Sequence, residues 1–529
     1  FSYDYEIKEF VKTLPGRIKF NSKEKCWEVF LNYQAVKQLK ETGFYLTNQI
    51  REWFDRYPNN IQSISNFNNQ LREYQKQGIN FIESRTGRVL LADDMGLGKT
   101  AQALSWLNLH REALPCIVVC PASVKLNWQK EINMWCNDID SIILNGRVPN
   151  EYMLPKNYKS IIITNYDILK QQREKDSNGW VDYILKYIKH KTLIIDECHL
   201  VKSNSAQRTQ AISKLSKNCS HIIALSGTPI TNKPSELFNI VNMIDPYILP
   251  PLMPFRWRYC DPKYNGFGWT YNGATNTEEL YNTLINTVMI RRLKRDVLKE
   301  LPAKQRNIIP VEISNKKEYV FAQEDFKEWL KINNDTHDKN TKASAVVKIE
   351  KLKQLSAKGK LKQAIEWIEN FIETNKLVVF TTHIEVINTL ERHFKNICVK
   401  LDGSVANVKR QKIVDIFQED DNCRLFLGQL KAAGVGITLT AASDVMFLEF
   451  GWTPGEHIQA EDRIHRIGQI AEYINIWYLV GKDTIDVPII NLIEQKAKVL
   501  DQVLDGKTQL DSEESGSIFN DLINNLRKN

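Results

Sequence analysis

The chain has 529 residues, 43% of them hydrophobic and 25% charged, with a formal net charge of +8. That length exceeds a single hydrophobic core and implies two or three domains of ordinary soluble, globular character. No apolar run approaches the ~18–20 residues that span a bilayer, and the opening FSYDYEIKEF lacks the basic-then-apolar order of a signal peptide. A protein without a membrane partner, not secreted, working in the cytoplasm, nucleoid or nucleus, is therefore expected. The first residue is Phe, so the true N-terminus is expected to lie upstream or to have been processed.

Residues 1–68 read as a small separate unit. VKTLPGRIKFNSKEKCWEVFL has the order strand, charged turn, strand, and AVKQLKETGF and NQIREWFDRY read as short helices. Trp27 and Phe30 are expected in its core, and NNIQSISNFNNQ reads as a polar linker. From Leu71 the pattern alternates between short β-branched runs and helices, which predicts a parallel sheet covered on both faces. The candidate strands are RVLLA, CIVVC (116–120), SIIIT (160–164), TLIID (192–196) and HIIAL (221–225). Cys116 and Cys120, at i and i+4 within one such run, read as core rather than ligands, and the nine scattered cysteines fit a reducing compartment.

In sheets of this kind ligands sit beyond the strand C-termini, and the chemistry-bearing residues follow the strands. After RVLLA comes DDMGLGKT, in which Asp94, Met95, Gly96, Leu97 and Gly98 form a turn leading into a helix that starts at Lys99 and Thr100. Backbone N–H groups in such a turn cradle phosphates, Lys99 reaches the β/γ oxygens, and the Thr100 hydroxyl holds Mg²⁺. The strict phosphate-loop pattern asks for Gly where Asp93 stands. After TLIID comes DECH. Asp196 at the strand end is placed to bind Mg²⁺, and Glu197 to orient or deprotonate a water. SGTP (226–229), PASVKLNW (121–128) and NYD (165–167) follow the other strands, and Gln75 in LREYQ offers an amide that could read an adenine edge.

Residues 246–372 break the alternation, opening with Pro246, Pro250, Pro251 and Pro254 before the aromatic FRWRYC, followed by the glycine-rich NGFGWTYNG, IRRLKRDVLKELP and a lysine-rich stretch. They are expected to form a mostly helical connector. From Arg291 to Lys362 there are 19 Lys/Arg against 10 Asp/Glu, either a solvated face or a nucleic-acid contact. A second α/β region over 373–485 has candidate strands KLVVFTTH, CVKLD, RLFLG, DVMFLEF and INIWYLV. It lacks a phosphate loop. QAEDRIHRIGQ (459–469) puts Arg463 and Arg466 at i and i+3, read as one helical face that could enter a nucleotide site from the opposite lobe. DGS (402–404) and GVGIT (434–438) are small-residue loops at strand ends, and 486–529 reads as a helical, then polar tail.

The ordered set LREYQ, DDMGLGKT, CPASVKLNW, DECH, LSGTPI, IRRLKRDV, LDGS, GVGITLT and QAEDRIHRIGQ resembles the motifs of SWI/SNF-type ATPases of helicase superfamily 2, over about residues 69–485. Asp at the first loop position is usual in that family. The resemblance implies an α/β fold of two RecA-like parallel-sheet lobes, 69–245 and 373–485, with the helical connector between them and a small N-terminal accessory domain. It implies ATP and Mg²⁺ as cofactors. Gln75 would contact adenine, Lys99 and Thr100 phosphate and Mg²⁺, and Asp196 and Glu197 the metal and the water. Arg463 and Arg466 would be arginine fingers. The short connector, RYCDP and the absence of a chromatin-reading module look most like the HARP-type annealing-helicase branch, though DECH stands where that branch commonly has DESH. LPGRIKFNSKEKCWEVFL is loosely similar to that branch's N-terminal DNA-structure-recognising module; a cap stabilising the first lobe is the other reading of 1–68. The implied activity is DNA-dependent ATP hydrolysis with translocation on double-stranded DNA, remodelling or annealing forked or branched DNA. A single-stranded-DNA-binding protein is a candidate partner. A translocase that strips proteins or RNA polymerase from DNA, and an ATP-gated DNA clamp with little turnover, are the alternatives.

Overall fold

The computed structural model describes residues 5–15, 18–57, 70–146, 149, 160–170, 179–230, 233–264, 266, 268–332, 339–434 and 436–505. The chain divides into two compact units, one built mainly from residues up to Val297 and the other mainly from Leu298 to Lys498. The linker expected at NNIQSISNFNNQ lies outside the described residues, apart from its last position.

The first unit opens with the helix Tyr5–Thr13, a hairpin of β1 (Ile18–Asn21) and β2 (Cys26–Val29), and the helices Tyr33–Glu41 and Asn48–Phe54. Asn32 starts the first of these helix turns by accepting the Ala35 N–H at 3.0 Å on Oδ1, which satisfies one of the helix's orphan donors. Trp27 packs across the hairpin against Phe20, with ring centroids 5.1 Å apart and the planes tilted by 59°, and is half-buried. Phe30, expected in the core, is 51% exposed. Strand β2 ends at Val29, and the core beyond it is filled by Tyr33, Val36, Leu46 and Trp53.

Seven strands then form a sheet in which every pairing is parallel. In chain order they are β3 (Arg88–Leu91), β4 (Cys116–Cys120), β5 (Ser141–Ile143), β6 (Ile161–Asn165), β7 (Thr192–Asp196), β8 (His221–Leu225) and, after a two-stranded hairpin of β9 (Lys263–Tyr264) and β10 (Trp269–Thr270), β11 (Met289–Ile290). The order across the sheet is β11-β3-β8-β7-β4-β6-β5. Central strands such as CIVVC are buried at every residue, as a parallel sheet covered on both faces requires. Cys116 and Cys120 belong to this core, and burial pushes both thiols well up.

The second unit has its own all-parallel sheet of six strands: β12 (Ala303–Val311), β13 (Leu377–Thr381), β14 (Cys398–Leu401), β15 (Leu425–Gln429), β16 (Asp444–Phe447) and β17 (Tyr473–Gly481). They run in the order β12-β17-β16-β13-β15-β14. The helices Lys316–Ile332 and Lys339–Ile372 contribute Tyr319, Phe326, Ile349 and Ile368 to its cores.

The stretch 246–372, expected to be mostly helical, is thus partly sheet. Its IRRLKRDV segment follows a strand that edges the first sheet, and AKQRNIIPV is a nine-residue strand edging the second. The second strand alternates between exposed and half-buried positions and carries Pro310, the composition of an edge strand rather than of a buried one. Among the described residues, no helix is long and apolar enough to cross a membrane, all nine cysteines are free, and no metal-ligand cluster of His, Cys, Asp and Glu occurs.

Candidate active site

Parallel register brings the expected residues of the first unit together. Ile290 lies opposite Leu91, Leu91 opposite Leu225, and Leu225 opposite Asp196. This single row across β11, β3, β8 and β7 leads at once into Arg291, Ala92, Ser226 and Glu197. The phosphate-loop candidate, SGTP and the Asp-Glu pair therefore leave the sheet side by side, at its C-terminal edge.

The helix Lys99–Leu109 starts from Gly98, whose φ of 73° is left-handed and suits glycine. A Cβ there would lie 2.2 Å from Gln75 Nε2, so the loop can close on Gln75 only without a side chain. Gln75 accepts the Arg72 N–H at 2.8 Å and donates to the Leu97 carbonyl at 3.3 Å, which seats it against the loop. Lys99 Nζ donates to the carbonyls of Asp93 at 2.7 Å and Asp94 at 3.1 Å. Burial lowers the Lys99 pKa, and the carboxylates of Glu197, Asp93, Asp94 and Asp196 oppose that shift. Met95 is buried and packs against the SGTP loop, where a Cβ on Gly227 would meet Met95 Cγ at 2.4 Å.

At the end of β7, Glu197 turns the chain with a left-handed φ of 51° into the short helix Cys198–Val201. Burial raises the Asp196 pKa, and the adjoining Glu197 raises it further. A hydrogen bond from Trp128 and the Lys99 charge pull the other way. Trp128 Nε1 donates to Asp196 Oδ2 at 2.8 Å, and the Tyr166 hydroxyl donates to the Asp196 carbonyl at 2.5 Å. His199 sits 3.3 Å from Glu197 Oε2 and bonds Ser226 Oγ at 3.1 Å, tying the Asp-Glu turn to SGTP. Two adjoining carboxylates with one ammonium close enough to act on both are oxygen donors of the kind a divalent cation takes, and Thr100 stands in the first turn of the helix that Lys99 begins.

Asp93 is completely buried. Its carboxylate accepts from Arg292 Nε at 2.9 Å and from Gln102 Nε2 at 3.1 Å, while the same guanidinium donates to Gln102 Oε1 at 2.9 Å. Arg292 also donates to the Tyr74 carbonyl. Arg291 donates to the Ala92 carbonyl at 2.9 Å, and the Lys294 N–H to Asp94 Oδ2 at 2.9 Å. The RRLK segment thus clamps the phosphate loop from the sheet edge.

In the second unit the helix Pro454–Glu461 ends before the arginines, with Asp462 as its C-cap. Arg463 and Arg466 therefore stand in the turns that follow rather than on one helical face, because the Leu439 N–H takes up the Arg463 carbonyl at 2.8 Å and diverts the chain. Both still converge on one loop. Buried Arg463 donates to the Gln459 and Ile437 carbonyls at 2.9 and 3.3 Å, and Arg466 donates to Thr438 Oγ1 at 3.1 Å. Beside them Glu461 is buried against Lys304 at 3.0 Å and Arg306 at 2.7 Å, and Lys304 reaches Asp462 at 2.9 Å.

Sequence reasoning gave no role to Trp128, Arg292, Lys304 or Arg306. Trp128 ends a motif that follows a strand, which was the available signal; the other three act through strands β11 and β12, whose existence was not expected.

The SNF2-related domain matches residues 74–361, and the helicase conserved C-terminal domain matches residues 359–468. The chain is 35% identical to the SWI/SNF-related matrix-associated actin-dependent regulator of chromatin subfamily A-like protein 1 homolog of Caenorhabditis elegans, over 82% of this chain and 62% of that protein. It is 34% identical to the protein of that name without "homolog" from Xenopus laevis, over 82% of this chain and 44% of that one. Similarity to the DNA annealing helicase and endonuclease ZRANB3 of Homo sapiens is 31% identity, over 89% of this chain and 43% of that protein. The chain thus spans about half the length of the curated relatives it matches.

Proposed function

Given that the chain belongs to the SNF2-related family of helicase-like ATPases, we propose that it hydrolyses ATP in response to DNA and uses the cycle to move on duplex DNA, remodelling or annealing forks and branches. The observation that carries this reading is the single row of the first sheet that delivers the phosphate loop, SGTP and the Asp-Glu pair to one edge. Relatives whose names include an annealing helicase support the choice of DNA as the partner.

In this reading the loop from Asp94 to Gly98 wraps phosphate with its N–H groups, and Lys99 exchanges its two carbonyl partners for phosphate oxygens. Gln75, already seated on the loop, meets the adenine. Thr100 and Asp196 hold Mg²⁺, which supplies Lewis-acid polarisation of the phosphate oxygens when bound. Glu197 takes the proton of the attacking water, and His199 keeps it aligned with SGTP. Arg466 in the second unit acts on transition-state charge. Arg463, buried on backbone carbonyls, sets the loop that carries Thr438. Binding to DNA runs chiefly through phosphates, so it is salt-sensitive and largely independent of sequence.

The test is ATP turnover measured with single-stranded, plain duplex and forked DNA and with RNA, beside a Lys99→Ala control. Stimulation by duplex or fork, absent in the control, is expected. Turnover indifferent to DNA, or stimulated only by RNA, overturns the reading.

A further inference from the structure

The glycine-rich stretch between the helices Leu252–Tyr259 and Thr277–Thr287 has no part in the ATP site, yet with the first of these helices it gathers rings at the surface. Residues 252–275 contain seven aromatic residues, with three basic residues against one acidic. Trp257, Tyr264 and Trp269 are 47, 62 and 49% exposed, far more than rings of that size in a folded unit require. They form one cluster: Trp257 lies 4.6 Å from Trp269 and 6.4 Å from Tyr271, and Tyr264 lies 5.6 Å from Trp269, centroid to centroid. The two-strand pairing of β9 with β10 holds Tyr264 opposite Trp269, and Gly266 turns between them with a φ of 89°.

The cluster has a charged flank. The Arg256 guanidinium lies over the Tyr271 ring at 5.4 Å, its Nε is buried without a hydrogen-bond partner, and no carboxylate pairs with it among the described residues. Its neighbour Arg258, in contrast, is bound by Glu279 through two hydrogen bonds. Lys233, whose pKa is lowered by burial and further by the Arg256 and Lys202 charges against the pull of Glu236, donates to Asn272 at 2.7 Å. That bond ties the hairpin to the segment following SGTP, at the C-terminal edge of the sheet.

Exposed rings beside a cation lacking an anion are suited to a ligand with flat π-faces and phosphate charge. A neutral peptide offers no counter-charge, and an intact duplex hides its base faces. We propose that Trp257, Tyr264 and Trp269, with Arg256, form a platform on which unpaired bases of single-stranded DNA stack while Arg256 holds the adjoining phosphate. This rests on DNA being the partner, and it places single-strand recognition on the first lobe rather than on residues 1–68.

The test is binding of the full chain to a labelled oligothymidylate of ~16 nucleotides, ample for one site, and to blunt duplex. Trp269→Ala is expected to weaken the oligothymidylate about tenfold, the loss of one stacked base, with duplex affinity unchanged within about twofold. Trp269→Phe, which keeps a ring, should restore most of the affinity and shows that the fold survives. Arg256→Gln should reduce the slope of log affinity against log salt by ~0.7, one single-strand phosphate. Parental oligothymidylate binding by Trp269→Ala, as expected were the platform made for a protein partner, overturns the proposal. So does an equal loss on duplex, or no measurable binding of the oligothymidylate by the parent chain. If duplex fails to stimulate ATP turnover while oligothymidylate binding still depends on Trp269, the motor reading falls and the platform stands.

Discussion

Arg292 reaches back across the sheet edge to the buried carboxylate of Asp93, with its Nε 2.9 Å from Oδ1 and a second nitrogen 2.5 Å from Oδ2. The pair explains how an acidic residue can occupy the position where a phosphate loop ordinarily has glycine: the charge is never left alone. Arg292→Ala would strand Asp93 in the interior, and breaking a buried pair in this way costs about 3–5 kcal/mol. Urea unfolding should show that loss, whereas Asp93→Gly/Arg292→Ala should be milder than Arg292→Ala alone. Additive losses in the double-mutant cycle would mean that the two side chains do not stabilise each other.

Glu197→Gln should retain binding of Mg-ATP but slow turnover by ~10²-fold or more, as loss of a general base does. Trp128 is predicted to act through Asp196. Burial and Glu197 raise the Asp196 pKa, and the Trp128 hydrogen bond favours the charged form, so Trp128→Phe should raise it further. Because a carboxyl is a metal ligand only when ionised, the acid limb of the kcat/KM profile should move to higher pH in Trp128→Phe under the proposed role of Asp196 in holding Mg²⁺. An unmoved limb with uniformly lower activity would assign Trp128 to packing alone.

Much of this site was legible because the strands that carry it are buried on both faces. TLIID and HIIAL read as unbroken apolar runs, and the residues that follow such runs are limited to a few functional types. What escaped were the edges. Ala303–Val311 opens on the polar run Lys304 to Asn307 and contains Pro310, so it lacks the signature of a central strand, yet it carries the Lys304 and Arg306 that hold Glu461. Met289–Ile290 is too short to show any periodicity. The spacing of Arg463 and Arg466 suits one helical face, while the tertiary hydrogen bond from the Leu439 N–H to the Arg463 carbonyl ends that helix early. Phe30 lies one residue past its strand, where alternation no longer predicts a face.

The two arginines of QAEDRIHRIGQ should separate experimentally. Arg466→Ala is expected to lower kcat by ~10³-fold or more, as loss of an arginine finger does, with little change in DNA affinity or thermal stability. Arg463→Ala removes hydrogen bonds to two buried backbone carbonyls and should lower the melting temperature as well. If Arg466→Ala instead lost only DNA affinity, that arginine would belong with the phosphate-contacting residues.

A pH signature is expected from the second unit, where His383 at the end of β13 faces the buried Glu449. The His383 ring is bonded by Glu350 and Glu449, which raise its pKa from 6.5 to about 9. Burial would raise Glu449, but the bonds and charge of His383 and the bond from Thr381 prevail and lower it from 4.5 to about 2. The His383 contribution to stability is complete below pH 6.5 and is lost as pH rises through about 9; that of Glu449 is present above pH 4.5 and lost as pH falls through about 2. Stability from the pair is therefore greatest between about pH 4.5 and 6.5. His383→Gln should flatten the decline between pH 6.5 and 9 in melting-temperature measurements. An identical alkaline decline in that variant would assign it to other groups.

Deleting residues 1–68 decides whether they stabilise the first lobe, target DNA, or both. The segment is attached to the lobe by particular contacts: the Tyr57 hydroxyl donates to the Asp245 carboxylate, the Trp53 ring meets Tyr247 edge-on at 6.1 Å, and the Arg85 guanidinium lies 5.6 Å from the Tyr57 ring. Arg85 itself is buried and donates to the Thr287 and Asn286 carbonyls, just before the strand that delivers Arg291 and Arg292. Removing the cover admits water to a guanidinium that braces the clamp on the phosphate loop. A chain starting at Asn69 is thus expected to melt at lower temperature and to lose ATP turnover on plain duplex and on forks alike, leaving the fork-to-duplex ratio unchanged. Were the segment instead the reader of DNA structure, the melting temperature and duplex-stimulated turnover would hold while the fork preference disappeared. The platform around Trp269 predicts that any fork preference survives the deletion and is lost in Trp269→Ala; a preference that vanishes only with residues 1–68 would return that role to the N-terminal unit.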